Sequence, residues 1–534
     1  MKESEDSHSG LAHLAAVTLF SGLTASLAMT LVMALLRWGL GIPTPSELLG
    51  DRVAPTISAG EFLGLLQRFG GYNQLKQLGV GSVLAGQAVV GILGALVLTV
   101  IERRRLEKDP GAHGRHRASN AALCFVIGLV LVFWVATLIA LWPVLNTSFS
   151  GWPPELATGA TAIGALVSYT AYGLALVAAH DFITRRVVSA ESELLRREAT
   201  RRRRFLAGGA MAMLATSAAG ALSRLYYLAT FNYDGRQYIG QEVKAVTPND
   251  LFYTVTKNVI DPDVYKSLWR LEVAGMVERP RDYSLEDLKA LRNVNQETTL
   301  MCISNWVGGG LMSNAVWRGV PLRDLIEAAG PTQGIVKVFF RAVDGYTDTI
   351  SYDKAMEPAT MVAYEMNGED LPRKHGYPVR VIVPGMFGEK NVKWVTRIEL
   401  LDHDGKGFYE RQGWGPTFVV PTRARFDFPY YDQAISFVSP VPLKGIAFGG
   451  DRGISRVEVS VDDGYAWREA KLEYKGTKLT WVLWSYDWEP PGAGEYKLMV
   501  RATDGSGAIQ TAEERGTVPD GATGYHRVTL KIED

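Results

Sequence analysis

Thr298-Thr299-Leu300-Met301-Cys302-Ile303-Ser304-Asn305 runs through Trp306-Val307 into Gly308-Gly309-Gly310, and further on into Trp317-Arg318-Gly319-Val320-Pro321-Leu322-Arg323-Asp324-Leu325. The first eight residues are strand-like in composition, and the glycines after them let a backbone come close to whatever faces it. Cys302 therefore stands at a strand end beside a flexible loop, well placed to meet a ligand. The chain has only two cysteines, and the other, Cys124, lies in an apolar run, so a disulfide between them is not expected. Taken alone, these residues leave Cys302 open to two readings: a small buried hydrophobe or a ligand-binding thiolate.

The surroundings of this stretch are α+β. Ser284-Leu-Glu-Asp287 has the form of a helix N-terminus with a capping serine. Pro321 through Ala329 reads as a helix with Pro in its first turn and Gly330 closing it. Val379–Val383, flanked by Pro378 and Pro384, suits a short buried strand. Beyond Tyr430 the pattern turns all-β: Val457, Val459 and Val461 alternate with polar residues before the turn Asp462-Asp463-Gly464, and Tyr496–Val500 alternates before Asp504-Gly505. Short strands at this density predict an immunoglobulin-like sandwich. The expected domains are 232–428, mixed α+β, and 429–534, the sandwich.

The first 204 residues are of a different kind. Leu14–Leu40, Gly79–Ile101, Ala121–Trp142 and Ala157–Ala179 are each long and apolar enough to cross a bilayer, which predicts an all-α transmembrane bundle. The loops Glu102–Asn120 and Asp181–Arg204 hold six and eight Arg/Lys, whereas Ile42–Gly79 and Pro143–Ala157 hold three and none. That bias places the N-terminus and the basic loops in the cytoplasm and the C-terminal half outside, on the periplasmic side. Residues 205–231 are read as a fifth span or signal-anchor with a linker. Arg202-Arg203-Arg204-Phe205-Leu206, before the Ala/Gly-rich Phe205–Leu222, has the form of a twin-arginine export signal. His13 and His180 are the only membrane-proximal histidines. They are enough to ligate a haem b, but interfacial histidines are usually solvated, so haem is the weaker reading. With 56 basic and 56 acidic residues nothing argues for nucleic acid, and no CxxC or Cys/His cluster argues for zinc or iron–sulfur.

Four ordered segments carry a family resemblance. Cys302-Ile-Ser-Asn305, Gly308-Gly309 and Trp317 to Leu325 look like the cofactor-cysteine segment of the sulfite oxidase family. His375-Gly-Tyr-Pro-Val-Arg380-Val-Ile-Val-Pro384 and Gly388-Glu-Lys-Asn-Val-Lys-Trp394 resemble its second signature. Pro248-Asn-Asp-Leu-Phe-Tyr253 is similar to its N-terminal cofactor contact, and Gly453-Ile-Ser-Arg-Val-Glu-Val-Ser460 with Trp467 resembles the sandwich that follows.

The resemblance implies a molybdopterin cofactor with Cys302 as the protein ligand to molybdenum, a soft thiolate suited to a redox metal. It further implies that Asn249, Tyr253, His375, Arg380, Asn391, Val392 and Lys393 hold the cofactor, the basic groups among them facing its phosphate. The sandwich implies a homodimer. Two positions that carry substrate-binding arginines in sulfite oxidases align with Val307 and Val255, and the family's active-site tyrosine aligns with Trp414. Arg318 and Lys257 remain as sources of positive charge nearby.

The expected function is a membrane-anchored extracytoplasmic molybdenum oxidoreductase moving an oxygen atom to or from a small sulfur-containing or N-oxide substrate. Electrons would pass to an external cytochrome or quinone-linked partner. A sulfite-oxidase-like activity and a membrane-tethered scaffold that keeps the fold without the metal are the alternatives.

Overall fold

Nothing in the apolar runs of the N-terminal part interrupts a helix, and the computed structural model, which describes residues 2–108, 119–184, 193–240 and 243–534, folds them as long helices. These are α1 (Lys2–Leu40), α4 (Tyr72–Lys108), α5 (Asn120–Leu141) and α6 (Pro154–Thr184), with the shorter α2 (Pro45–Val53) and α3 (Ala59–Phe69) between the first two and α7 (Glu193–Leu228) after the last. Among the described residues four stretches are long and apolar enough to cross a membrane: Leu14–Leu40, Tyr72–Arg105, Asn120–Val144 and Pro154–Thr184. They contain the four expected spans. Phe205–Leu222, read as a fifth span, lies inside α7, which is not one of the four.

The chain divides into two compact units, Met1–Arg52 with Gln74–Ala229, and Val53–Asn73 with Thr230–Asp534. In the first, α1 packs on α6 and α7, and α5 on α6. Close approach of α1 and α4 depends on Gly22, where a Cβ would sit 2.6 Å from the Ile92 Cα. Arg37 and Glu47 form a buried ion pair at 3.0 Å. His180 is buried in α6. The side chains of His13, Arg203 and Arg204 lie outside the described residues.

The second unit departs from the expected boundaries, because residues 53–73 fold with the C-terminal part rather than with the first 204 residues. Its α+β portion contains β1 (Leu271–Gly275), β2 (Arg281–Tyr283), α8 (Leu285–Ala290), β3 (Val294–Met301), β4 (Met312–Pro321), α9 (Leu322–Ala329), β5 (Lys337–Ala342), β6 (Thr347–Ser351), α10 (Tyr352–Met356), β7 (Met361–Met366), β8 (Glu369–Asp370), β9 (Arg380–Ile382), β10 (Val395–Leu401) and α11 (Phe408–Arg411). One sheet runs β2-β1-β10-β5-β6, with β1 and β10 parallel, and a second runs β3-β4-β7-β8, with β9 paired to β7. Ser284 caps α8 in a reciprocal capping box with Asp287, as its spacing predicts. Pro321 ends β4 and is the N-cap of α9 rather than part of its first turn, and Gly330 in the left-handed conformation closes that helix.

The sandwich packs the sheet β11 (Arg423–Phe428)-β13 (Val441–Phe448)-β17 (Val482–Trp488)-β16 (Lys471–Tyr474) on the sheet β12 (Gln433–Ser436)-β19 (His526–Glu533)-β18 (Gly494–Asp504)-β14 (Ile454–Ser460)-β15 (Arg468–Glu469). Val457, Val459, Leu498 and Val500 point into its core with Trp484, as their alternation predicts. Its first strand, β11, begins before the boundary expected at 428/429. The reason lies in pairing: Arg423 to Phe428 join β13 of the sandwich rather than either upstream sheet.

Candidate active site

β3 ends at Met301 and delivers Cys302 to one end of a cavity of about 230 Å³. The Cys302 N–H donates to Leu311 O at 3.0 Å, which closes the loop between β3 and β4 at its base. The sandwich holds the rest of this loop. Arg423 donates to Asn305 O at 2.7 Å, and Arg425 donates to Gly309 O and Tyr238 O, both at 2.8 Å.

The glycines have a different use from the one expected. A Cβ on Gly308, whose φ is +84°, would lie 2.4 Å from the His526 ring. A Cβ on Gly310 would lie 2.3 Å from the Ile239 side chain. Gly308 to Gly310 are absent from the cavity lining, so close packing on protein, not on a ligand, accounts for them.

Eight of the nine residues singled out from sequence line this one cavity: Tyr253, Cys302, His375, Arg380, Asn391, Val392, Lys393 and Trp414. The ninth, Asn249, acts one step behind, its backbone carbonyl accepting a 2.7 Å hydrogen bond from His375 Nε2. That partner fixes the proton on Nε2 and leaves Nδ1 an acceptor. Burial holds the His375 pKa well below its ordinary value, so the ring is neutral. Phe252 keys the upstream segment in place, its ring meeting Trp317 and His375 edge-on at 5.7 and 5.3 Å and stacking on Tyr253 at 5.5 Å.

Arg380 is buried over the Trp317 ring and donates to His375 O (3.2 Å) and Asn391 O (3.0 Å), while its Nε has no partner. Burial lowers its pKa to about 10, which leaves it charged at neutral pH. Lys393 donates to Lys374 O at 3.0 Å and lies over the Trp394 ring. Lys390, by contrast, turns away from the cavity into a buried pair with Asp348 at 2.6 Å, above the Phe418 ring. Of the valines aligned with substrate-binding arginines, Val255 lines the cavity and Val307 does not. Arg318 is also elsewhere, paired on the surface with Glu365, so of the two cations named as nearby only Lys257 reaches the cavity, its Nζ on Asp344 O at 2.8 Å.

The residues present fit a molybdenum–pterin group. Cys302 Sγ is 3.0 Å from Ser304 Oγ, and burial pushes its pKa up to about 12, so a thiolate there needs a cation such as a metal to balance it. Lys257, Lys374, Arg380 and Lys393 outnumber Asp344 and Glu389 around the cavity, an excess suited to a phosphate-bearing ligand. The free Arg380 Nε asks for an acceptor. At Gly388 a Cβ would stand 2.5 Å from the Tyr253 hydroxyl and 3.7 Å from the Cys302 Cα, so only glycine leaves room at that point.

Sequence reading missed several residues. Glu389 lines the cavity with its carboxylate buried near the backbone amides of Glu389 and Ile303, and burial raises its pKa to about 8. The Tyr409 hydroxyl lies near Cys302, and burial followed by that neighbour raises its pKa. Phe62, Leu63, Leu66 and Tyr72, far upstream, complete the lining.

The fold and the cavity define an α+β domain whose buried cysteine and cationic lining suit a pterin cofactor, followed by a β-sandwich. Comparison with known proteins gives the same class: residues 257–409 match the oxidoreductase molybdopterin binding domain and residues 428–533 the Mo-co oxidoreductase dimerisation domain. Sulfite oxidase of Gallus gallus is 33% identical over 313 residues, 50% of this chain and 68% of that protein. Sulfite oxidase of Arabidopsis thaliana is 29% identical over 352 residues, 54% of this chain and 88% of that protein. Among solved structures, the sulfane dehydrogenase SoxCD from Paracoccus pantotrophus aligns with 55% of this chain and 84% of its own, at 24% identity and a TM-score of 0.49. The chain belongs to the sulfite oxidase family, and it is a molybdopterin-dependent oxidoreductase.

Proposed function

We propose that this protein is a membrane-anchored, extracytoplasmic enzyme that moves an oxygen atom to or from a small, neutral sulfur-containing or N-oxide substrate. The observation that carries the substrate class is the lining around Cys302, where Val255 and Trp414 stand in place of groups that would grip a dianion. A neutral oxide sits against such a wall without losing the hydration a sulfite dianion would have to give up. Support for the orientation is that residues 53–73, from the loop with few basic residues, fold in the same unit as the cofactor domain. The charge bias of the loops places that loop and that domain on the same side. The sandwich supports a homodimer, and an external cytochrome or quinone-linked protein would exchange electrons.

The molybdenum centre, when bound, supplies two-electron oxygen-atom exchange. In this reading Cys302 ligates it. Arg380 and Lys393 neutralise its phosphate, Arg380 through the free Nε, and His375 offers Nδ1 as an acceptor. The backbone at Asn391 and Val392 and the Tyr253 ring bound the pterin, with Asn249 fixing His375 from behind. Trp414 turns its buried, unpartnered Nε1 to a substrate oxygen. Glu389 and Tyr409 hold protons beside Cys302 at neutral pH, where reduction of an oxide to its parent compound and water consumes two.

Molybdenum content of the full-length protein, produced in a host that makes the cofactor, tests the proposal together with a screen of sulfoxides, N-oxides and sulfite. About one metal per chain, with turnover of neutral oxides that is lost in Cys302→Ser, is the expected result. Turnover of sulfite in preference would favour the sulfite-oxidase-like reading. A folded protein free of molybdenum, beside a loaded control enzyme, would leave the scaffold reading in front.

A further inference from the structure

We infer that α3 and Tyr72, the first residue of α4, form the substrate-side wall of the cavity and select a substrate whose reacting atom carries an apolar substituent. For the reacting group this rests on the oxygen-transfer reading; for the wall itself it does not.

The helix is built to present one apolar face. Ala59, Phe62, Leu63 and Leu66 recur at helical spacing, Ala59 is buried in the core beside Trp414 and Phe418, and the other three line the cavity. Both ends are capped: Ser58 and Glu61 form a reciprocal capping box, and Gly70 closes the last turn at φ +82°. The segment is also pinned to the cofactor domain on both sides. Ala59 N–H donates to Gln412 O and Gln412 Nε2 to Ala54 O, each at 2.9 Å. Asn73 Nδ2 donates to Phe231 O at 3.0 Å and Asp234 O at 3.1 Å. A helix held at both flanks keeps its inner face in a fixed place, which a selective wall requires.

Tyr72 links the wall to the reacting end. Its ring meets Phe62 edge-on at 5.8 Å, its hydroxyl hydrogen-bonds to Tyr409, and it lies within electrostatic reach of Cys302. A compact oxyanion gains nothing from Phe62, Leu63 and Leu66, whereas an alkyl or aryl group on the reacting atom is removed from water against them.

The test uses full-length, molybdenum-loaded protein. Methyl phenyl sulfone, which keeps the apolar group but is a poor oxygen donor, is titrated calorimetrically into the parent, Phe62→Leu and Phe62→Ala/Leu66→Ala. Affinity should fall about tenfold in the double variant and little in Phe62→Leu. With a reduced viologen as electron source, kcat/KM for methyl phenyl sulfoxide should exceed that for dimethyl sulfoxide in the parent. The double variant should shrink the ratio through KM. Equal sulfone affinity in parent and double variant, at equal molybdenum content, overturns the inference, as does a parent that prefers dimethyl sulfoxide. Should the double variant lose its metal, Leu63→Ala replaces it, with a loss of about threefold expected. Wall-dependent sulfone binding without turnover of sulfoxides or N-oxides, and without oxidation of methyl phenyl sulfide, would support the wall while refuting the oxygen-transfer reading.

Discussion

Replacing Gly308 by alanine tests whether the glycine loop after Cys302 serves the sandwich or the ligand. At φ +84° an alanine is strained by about 1–2 kcal/mol. Its Cβ would also lie 2.4 Å from His526 Nε2 and 2.5 Å from Cδ2, and overpacking of that kind costs about 1–3 kcal/mol. Gly308→Ala should therefore destabilise the cofactor-bearing unit by about 2–5 kcal/mol. For a unit of this size that is a fall of roughly 3–10 °C in Tm. His526 faces this loop as a neutral ring whose Nδ1 accepts the Phe426 N–H at 3.0 Å. His526→Ala alone leaves that buried N–H unpaired, at about 1–3 kcal/mol. In the double variant the clash disappears while the strain and the unpaired N–H remain. The two losses should then fall short of additivity by about 1–3 kcal/mol. The assay is a thermal unfolding cycle on four full-length proteins, followed by tryptophan fluorescence at fixed molybdenum loading. Additive losses would refute the packing argument, and a loss of metal in Gly308→Ala that His526→Ala fails to relieve would return the loop to the ligand.

Other expectations follow from single groups. Asp348→Asn strands the buried Lys390 beside a neutral partner, with Glu410 at 3.5 Å as its remaining carboxylate, and should cost about 3–5 kcal/mol in thermal unfolding. Recovery in Asp348→Leu/Lys390→Met would confirm the unpaired charge as the cause. Gly388→Ala should push the Tyr253 hydroxyl aside and lower molybdenum content; a variant as fully loaded as the parent would contradict the role given to that glycine. His526 has a folded pKa of about 4, lowered mainly by burial. Because the unfolded ring binds its proton more readily, its contribution is complete above about pH 6.5 and is lost as pH falls toward 4, by up to about 3 kcal/mol. Unfolding scans of the parent and His526→Gln should converge across that window, and parallel curves would refute the assignment.

The chemistry of the cofactor face was legible because it resides in short, contiguous segments. The strand-end position of Cys302 and the strand within the run from His375 to Lys393 follow from local pattern, while the resemblance of these segments and of the pair Asn249 and Tyr253 to a known family marked their side chains as a set. The glycine loop was misjudged for a physical reason: a glycine required by a neighbouring ring and one required by a ligand leave the same mark in a sequence. Lys390 and Lys393, three residues apart, part into a buried ion pair and a cavity cation, a choice made by what packs around each.

By itself, the sequence determined the long apolar helices and the change to strands after them, since each is encoded by periodicity or local composition, whereas the cysteine that faces the cavity and the cationic set beside it were marked by ordered segments that resemble a family. It also held the signal of α3, a capping box before apolar residues at helical spacing and a closing glycine. Only the tertiary structure decided where that helix goes. Its apolar face demands cover but does not name it, and the cover is a cofactor domain more than 150 residues away along the chain. Tyr72 reaches Tyr409 only because both segments fold into one unit, and local sequence carries no measure of that proximity.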